Sequence, residues 1–293
     1  MKIDKFTGID NINFPQKLPL GACLEATNVV FTGDGRLMRC PGVLSDHPAT
    51  IIGSYGTFDQ SLMFYVTSAL TIFKFDGVNH VQVGTVPHDD KCYWAEESSD
   101  VVFLAQSDII QVWDGTAFSP LTADPMGLVT GLKPFAFTGE IVRVNWVAGR
   151  LCIVTQMDGV SRVQFSVPGM YGMTTVEEDW FEIPHIVTGV ESFATNMIIS
   201  CTNAVFHYNT QTGILTKRLE YGTPYGRPIA RVASDKALIW SNRGVIRYPE
   251  WDNITLSHFT VPPGNGCATA IMQYAGAEFF LVSHDDAGYN YNT

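Results

Sequence analysis

The sequence predicts an all-β fold, a six-bladed β-propeller whose last blade is completed by a hairpin from the N-terminus. Three observations predict it: an ordered pair of strand signals that occurs six times, a recurrence distance of blade length, and a spare N-terminal hairpin matching a shortfall in the sixth copy.

The first member of each pair is an apolar run: Leu62-Met63-Phe64-Tyr65-Val66, Val101-Val102-Phe103-Leu104-Ala105, Leu151-Cys152-Ile153-Val154, Met197-Ile198-Ile199, Ala237-Leu238-Ile239-Trp240 and Phe279-Phe280-Leu281-Val282. A polar residue precedes each run: Ser61, Asp100, Arg150, Asn196, Lys236 and Glu278. Successive copies are therefore 39, 50, 46, 40 and 42 residues apart. A four-stranded propeller blade needs about 40 to 50 residues, so the spacing fits one blade per copy.

The second member alternates apolar and polar residues: Phe73-Lys74-Phe75, Ile110-Gln111-Val112, Val163-Gln164-Phe165, Phe206-His207-Tyr208, Ile246-Arg247-Tyr248 and Tyr289-Asn290-Tyr291. Hairpin turns such as Gln156-Met157-Asp158-Gly159 and Asn242-Arg243-Gly244 separate the two members. A run apolar at every position must be covered on both faces, whereas period two asks for cover on one. Propeller blades meet both demands, because a mid-blade strand is sandwiched between neighbouring blades and later strands become exposed. A β-sandwich also supplies many short strands, but it does not require six copies of one ordered pair.

The sixth copy ends at Thr293, just after Tyr289 and Tyr291, and so lacks an outer strand. Asn28-Val29-Val30-Phe31 and Arg36-Leu37-Met38-Arg39 flank the turn Thr32-Gly33-Asp34-Gly35 and belong to none of the six copies. Ring closure is therefore expected from Val29, Phe31, Leu37 and Cys40 against Tyr289 and Tyr291, leaving no open sheet edge. The expected organisation is an extended arm over residues 1–21 and one propeller over 22–293. Its approximate blades are 50–87, 91–122, 141–184, 187–221, 229–262, and 267–293 with 28–40.

Two stretches exceed a minimal blade. One runs from Ala123 to Glu140; the other, from Val167 to Asp179, contains Pro168-Gly169-Met170-Tyr171-Gly172-Met173. Loops longer than about 12 residues are usually functional or disordered, and the Met and aromatic content of these two suits a contact surface. The candidate interaction residues are Phe6, Phe14, Met170, Tyr171, Met173 and Trp180.

Composition excludes several classes. A hydrophobic fraction of 46% with only 16% charged residues argues against a disordered chain or a coiled coil. No apolar run approaches the roughly 18 residues of a membrane span, and Met1-Lys2-Ile3-Asp4-Lys5-Phe6 lacks an apolar signal core, so no membrane insertion or export is expected. A net charge of −11 without a Lys/Arg cluster opposes stable nucleic-acid binding, while leaving room for DNA to pass nearby without adhering.

The six cysteines, Cys23, Cys40, Cys92, Cys152, Cys201 and Cys267, form no Cys-x-x-Cys pair and read as free thiols. The seven histidines show no metal-ligand spacing, and no EF-hand order is present, so neither metal nor cofactor is expected. There is no Gly-x-Ser-x-Gly elbow, Walker loop or dinucleotide fingerprint. Glu177-Glu178-Asp179 reads as a solvated loop rather than an acid-base pair, and no catalytic residue is expected.

One segment resembles a known family. Gly8-Ile9-Asp10-Asn11, Leu18-Pro19-Leu20-Gly21-Ala22, Glu25-Ala26-Thr27-Asn28-Val29 and Gly33-Asp34-Gly35-Arg36-Leu37-Met38-Arg39-Cys40-Pro41-Gly42 resemble the opening of tailed-bacteriophage virion structural proteins, the tail nozzle and tail hub proteins. The resemblance implies a non-enzymatic component of a phage neck, nozzle or tail, assembled in the host cytoplasm into the virion. It also implies several symmetric copies, with neck, tail or portal-proximal proteins as partners of the propeller loops and N-terminal arm. The alternative is a receptor- or carbohydrate-binding propeller at a tail tip or on an adhesin, using aromatic residues around Tyr171, Trp180 and Tyr225.

Overall fold

The computed structural model describes residues 8–9, 22–23, 29–31, 37–39, 50–122 except 58 and 60, 132, 135, 137, 139–173, 179–233, 235–255, 264–274 and 277–286. Phe6, Phe14, Cys40, Tyr289 and Tyr291 lie outside the described residues, as do Glu177 and Glu178. The chain forms two compact units, one of residues 47–202 with 206–217 and one of residues 1–46 with 203–205 and 218–293.

The described regular structure is all β, in chain order β1 (Gly8–Ile9), β2 (Ala22–Cys23), β3 (Val29–Phe31), β4 (Leu37–Arg39), β5 (Ile51–Gly56), β6 (Met63–Thr67), β7 (Thr71–Phe75), β8 (His80–Thr85), β9 (Tyr93–Ser98), β10 (Val101–Gln106), β11 (Ile109–Trp113), β12 (Phe118–Pro120), β13 (Glu140–Val147), β14 (Arg150–Met157), β15 (Val160–Phe165), β16 (Trp180–Ile183), β17 (Val187–Phe193), β18 (Asn196–Cys201), β19 (Val205–Asn209), β20 (Ile214–Leu219), β21 (Gly226–Arg227), β22 (Ile229–Ala233), β23 (Lys236–Ser241), β24 (Gly244–Tyr248), β25 (Asp252–Asn253), β26 (Gly264–Tyr274) and β27 (Ala277–Asp286).

Five sheets have four strands in sequence order, the meander that makes a propeller blade: β5 to β8, β9 to β12, β13 to β16, β17 to β20 and β22 to β25. The first five apolar runs lie on second strands (β6, β10, β14, β18 and β23), and the alternating segments that follow lie on third strands. The last apolar run lies on β27, which pairs antiparallel with β26; β21 adds to the other side of β26 in parallel, making a three-stranded sheet. Hairpin β3–β4 forms a two-stranded sheet of its own, with Val29 opposite Arg39 and Phe31 opposite Leu37.

Packing in the larger unit explains why second strands are apolar at every position. Val102 and Leu104 of β10 join a core with Tyr55, Phe64, Val66 and Ile72 of the preceding sheet. The intervening Phe103 and Ala105 join another core with Ile141, Val144, Leu151 and Ile153 of the following sheet. Successive side chains of a strand point to opposite faces, so one strand feeds both interfaces. All four residues are at most 1% exposed. In the smaller unit, Trp240 and Val245 of β23 and β24 share a core with Cys267 of β26, against which Phe280 and Val282 pack.

Aromatic rings fill the first of these interfaces. Phe64 lies 5.2 Å from Trp113, 5.4 Å edge-on from Phe118 and 6.3 Å from Trp94, centroid to centroid. Such tilted and edge-on pairs add to what burial alone contributes. The sheets approach closely where Gly53 of β5 faces β9: a Cβ there would stand 2.7 Å from Cys92 Cβ. Any side chain at Gly53 therefore displaces Cys92, and the overpacking penalty is about 1–3 kcal/mol.

Innermost strands are also tied to one another. Tyr55 donates its hydroxyl to Glu96 Oε2 (3.0 Å), Asn145 Nδ2 donates to Val190 O (3.1 Å), and Ser192 donates its hydroxyl to Trp146 O (2.6 Å). The Asp158–Gly159 turn has φ of 27° and 84°, both positive, as a tight two-residue hairpin requires.

A third-to-fourth-strand turn recurs as well. The backbone N–H groups of Val78 and Asn79 donate to Asp76 Oδ1 (3.0 and 2.8 Å), and those of Thr116 and Ala117 to Asp114 Oδ1 (2.9 and 3.0 Å). Asn209 Oδ1 accepts from Gln211 and Thr212 in the same way, at 3.0 Å each. These hydrogen bonds hold Asp76 and Asp114 below the usual carboxylate range; bonds from Ser61 and Thr57 hold Asp59 at about 2.

Two outcomes follow. Phe64→Ala removes a fully buried ring from the aromatic interface, and denaturant unfolding should show a loss of about 3–5 kcal/mol with an unchanged m-value. Each depressed carboxylate stabilises the folded state above its unfolded value of 3.8, and that contribution disappears as pH falls through the folded value. Unfolding measured against pH should therefore show stability falling from about pH 4 toward about pH 2. Asp76→Asn with Asp114→Asn, which keeps the acceptor oxygen without the titration, should flatten that limb.

Candidate functional site

In the larger unit, a cavity of about 430 Å³ opens among the ends of β8, β11 and β12 and residues of the two long insertions. Its walls are Thr85, Val86 and Pro87 after β8, Asp108 to Gln111 at the start of β11, Pro120 and Leu121 after β12, Phe135 and Phe137 from the first insertion, and Tyr171 from the second. The volume lies within the roughly 300–1,000 Å³ of small-ligand and side-chain pockets.

Backbone hydrogen bonds position the walls. Val86 N donates to Leu70 O and Leu121 N to Ile110 O, each at 2.9 Å. Gln111 Nε2 donates to Thr85 O at 3.1 Å, linking the first two sheets, while Gln111 Oε1 is buried without a hydrogen-bond partner. Phe135 and Phe137 stack nearly parallel, with centroids 6.2 Å apart and planes 5° apart.

The second insertion is folded back by its own backbone. Val167 N donates to Gly172 O (2.9 Å), Met170 N to Val167 O (3.0 Å) and Gly169 N to Gly149 O (2.7 Å). This presents Tyr171 edge-on to Phe103 (5.1 Å, 84°) and to Trp146 (6.1 Å, 76°), with its hydroxyl donating to Glu97 Oε2 at 2.8 Å. Partial burial, and then the Glu97 carboxylate, push the Tyr171 phenol well above its ordinary value. Tyr171 is thus a fixed neutral wall with its proton committed to Glu97.

The sequence candidates separate on the structure. Tyr171 and Met173 pack on the core that also holds Phe135 and Phe137, so both insertions meet at one place. Met170 is half-buried in the loop turn. Trp180 stands on β16, the last strand of its sheet, 38% exposed, with the Arg162 guanidinium 4.3 Å over its ring and Arg162 paired to Glu182 at 2.8 Å. Tyr225 belongs to the smaller unit, where its carbonyl accepts from Cys267 N (2.6 Å).

Phe135 and Phe137 lie inside a stretch flagged for aromatic content, but Asp108, Ile109, Gln111 and Leu121 carried no flag, since their strand pattern reads as ordinary blade.

Other reactive groups are occupied. His80 Nδ1 is 2.8 Å from the Tyr65 hydroxyl, with its ring stacked on Phe75. Burial pushes the thiols of Cys92 and Cys201 up to about 11 and about 12, and raises that of Cys152 as well; these three and Cys267 are free. Asp179 pairs with Arg150. Among the described residues no three His, Cys, Asp or Glu side chains converge as metal ligands, and no helix is long and apolar enough to cross a membrane. The cavity's described lining combines apolar walls with one carboxylate, Asp108, and one side-chain amide, Gln111.

No family model and no curated protein matches this chain. Solved structures do. The chain is similar to U3-55K (14% identity, 71% of this chain and 63% of that one, TM-score 0.45) and to the WD40 repeats of RRP9 (13%, 71% and 62%, 0.48). It is similar also to the extracellular domain of a protein described as a hybrid two-component system from B. thetaiotaomicron (11%, 80% and 32%, 0.50). The chain spans less than two thirds of the length of each, and at these identities the likeness is one of fold. These neighbours are not phage proteins, and the resemblance to tailed-phage nozzle and hub proteins is thereby corrected. Its physical basis was slender: the glycines and arginines of residues 8–42 are those that tight hairpins select in any family. The chain has an all-β fold of four-stranded propeller sheets, and no family identity is assigned to it.

Proposed function

We propose that this chain is a non-enzymatic β-propeller that makes protein–protein contacts through the cavity and the insertion loops around it. The observation that carries the reading is the convergence of both long insertions, through Phe135, Phe137 and Tyr171, on one apolar concavity. Aromatic anchors around a pre-formed pocket are the usual centre of a protein interface. The protein-contact reading is preferred to a sugar-binding one because the rings of Trp180 and Tyr171 are already engaged. Arg162 covers Trp180, and Tyr171 is wedged against Phe103 with its hydroxyl given to Glu97.

The same proposal includes six blades, the sixth built on β26 and β27 and completed by the hairpin of residues 28–40. The recurrence of the apolar run on β27 supports the sixth copy, and Val29, Phe31, Leu37 and Cys40 against Tyr289 and Tyr291 would close it. Multiple copies in a larger assembly, with no stable grip on nucleic acid, are consistent with the net charge of −11.

A photo-crosslinking amino acid at Pro120, an exposed position on the cavity rim, tests the function in the producing cell. Irradiation should join the chain to another polypeptide there and not from Val78, which is 81% exposed on a distant turn of the first sheet. Equal products from both positions, or substrate turnover by the purified chain that depends on Tyr171, would overturn it.

A further inference from the structure

Among the described residues, Asp108 is the sole charged one lining the cavity; the other described walls are apolar or aromatic apart from Thr85, Gln111 and the Tyr171 hydroxyl. Its side chain is 71% exposed and lies 3.3 Å from His88 Nε2. Two more carboxylates are attached to the cavity's frame. Ser107, beside Asp108, donates its hydroxyl to Asp90 Oδ2 at 2.7 Å, and Glu97 accepts from Tyr171. Lys91 follows Asp90 in the chain and does not line the cavity. Among the described residues the concavity is thus apolar inside with a carboxylate at its mouth, on a chain whose net charge is itself −11.

These two features select one kind of occupant. An apolar wall gains from burying an aromatic or bulky aliphatic side chain, and a carboxylate at the mouth favours a cation just outside it. From this we infer that the cavity takes a bulky apolar side chain of a partner polypeptide that carries Lys or Arg next to that anchor, the cation pairing with Asp108. The inference rests on reading the cavity as a protein-contact site and adds the chemistry of the partner segment. The anchor supplies affinity and the charge supplies selection, because a solvent-exposed ion pair changes affinity far less than filling the pocket does.

The test is fluorescence anisotropy of the full chain with three fluorescein-labelled heptapeptides, identical except that a central tryptophan is flanked by lysine, glutamine or glutamate. The lysine peptide should bind up to about tenfold more tightly than the glutamine peptide, and the glutamate peptide most weakly, with the spread shrinking as salt rises. Asp108→Asn should remove most of the lysine peptide's advantage over the glutamine peptide. Leu121→Trp, which projects an indole into the cavity, should weaken binding of both. Equal binding of the three peptides, a lysine advantage that survives Asp108→Asn, or no binding of the lysine peptide would overturn the inference. Concentration-dependent self-association abolished by Leu121→Trp would overturn it in favour of a second copy as occupant. Failure of the peptides while the position-120 crosslink persists removes this inference alone; loss of the crosslink removes the reading beneath it.

Discussion

A strand buried on both faces cannot be satisfied by its own sheet, and this constraint organises the larger unit. Val102 and Leu104 point into one core and Phe103 and Ala105 into the next, so the second sheet is stable only with neighbours on either side. At roughly 25 cal/mol per Å² of apolar surface, each such strand contributes several kcal/mol to two interfaces at once. The side-chain hydrogen bonds from Asn145 and Ser192 to backbone carbonyls of the neighbouring innermost strands then tie the sheets together, and Gly53 permits the close approach that the rings of Phe64, Trp94 and Trp113 need.

The cavity is a consequence of that stacking. The ends of β8, β11 and β12 are fixed by their sheets, and Phe135, Phe137 and Tyr171 complete the walls. Tyr171 illustrates the coupling: its ring packs on Phe103, a core residue of β10, while its other side faces the cavity. A concavity built this way is rigid, since moving Tyr171 disturbs the same core that holds the second and third sheets together.

Much of the fold was legible because its demands are periodic. Runs such as Leu151-Cys152-Ile153-Val154 announce burial on two faces, and Asp158-Gly159 announces its turn. The recurring Asx turns at Asp76, Asp114 and Asn209 each follow an aromatic residue, but only Asp76 and Asp114 precede a glycine, a pair common to many turns, and Asn209 precedes Thr210. The site was legible only in part. Aromatic content drew attention to the insertions and to Tyr171, but which strand ends they meet depends on blade packing, so Asp108 and Leu121 could not be named from local pattern. The family resemblance failed for a related reason: hairpin residues are chosen by turn geometry, and turn geometry is shared across families.

The central claim, that second strands sandwiched between sheets carry the stability of the larger unit, is most directly tested by native-state hydrogen exchange resolved to single amides. The account predicts that amides of Val102 to Ala105 and Leu151 to Val154 exchange only through global unfolding, with free energies equal to that of the whole unit. Those of the outer strands β8 and β16 should exchange at lower cost through local opening. Equal protection in outer and second strands, or faster exchange in the second strands, would contradict it.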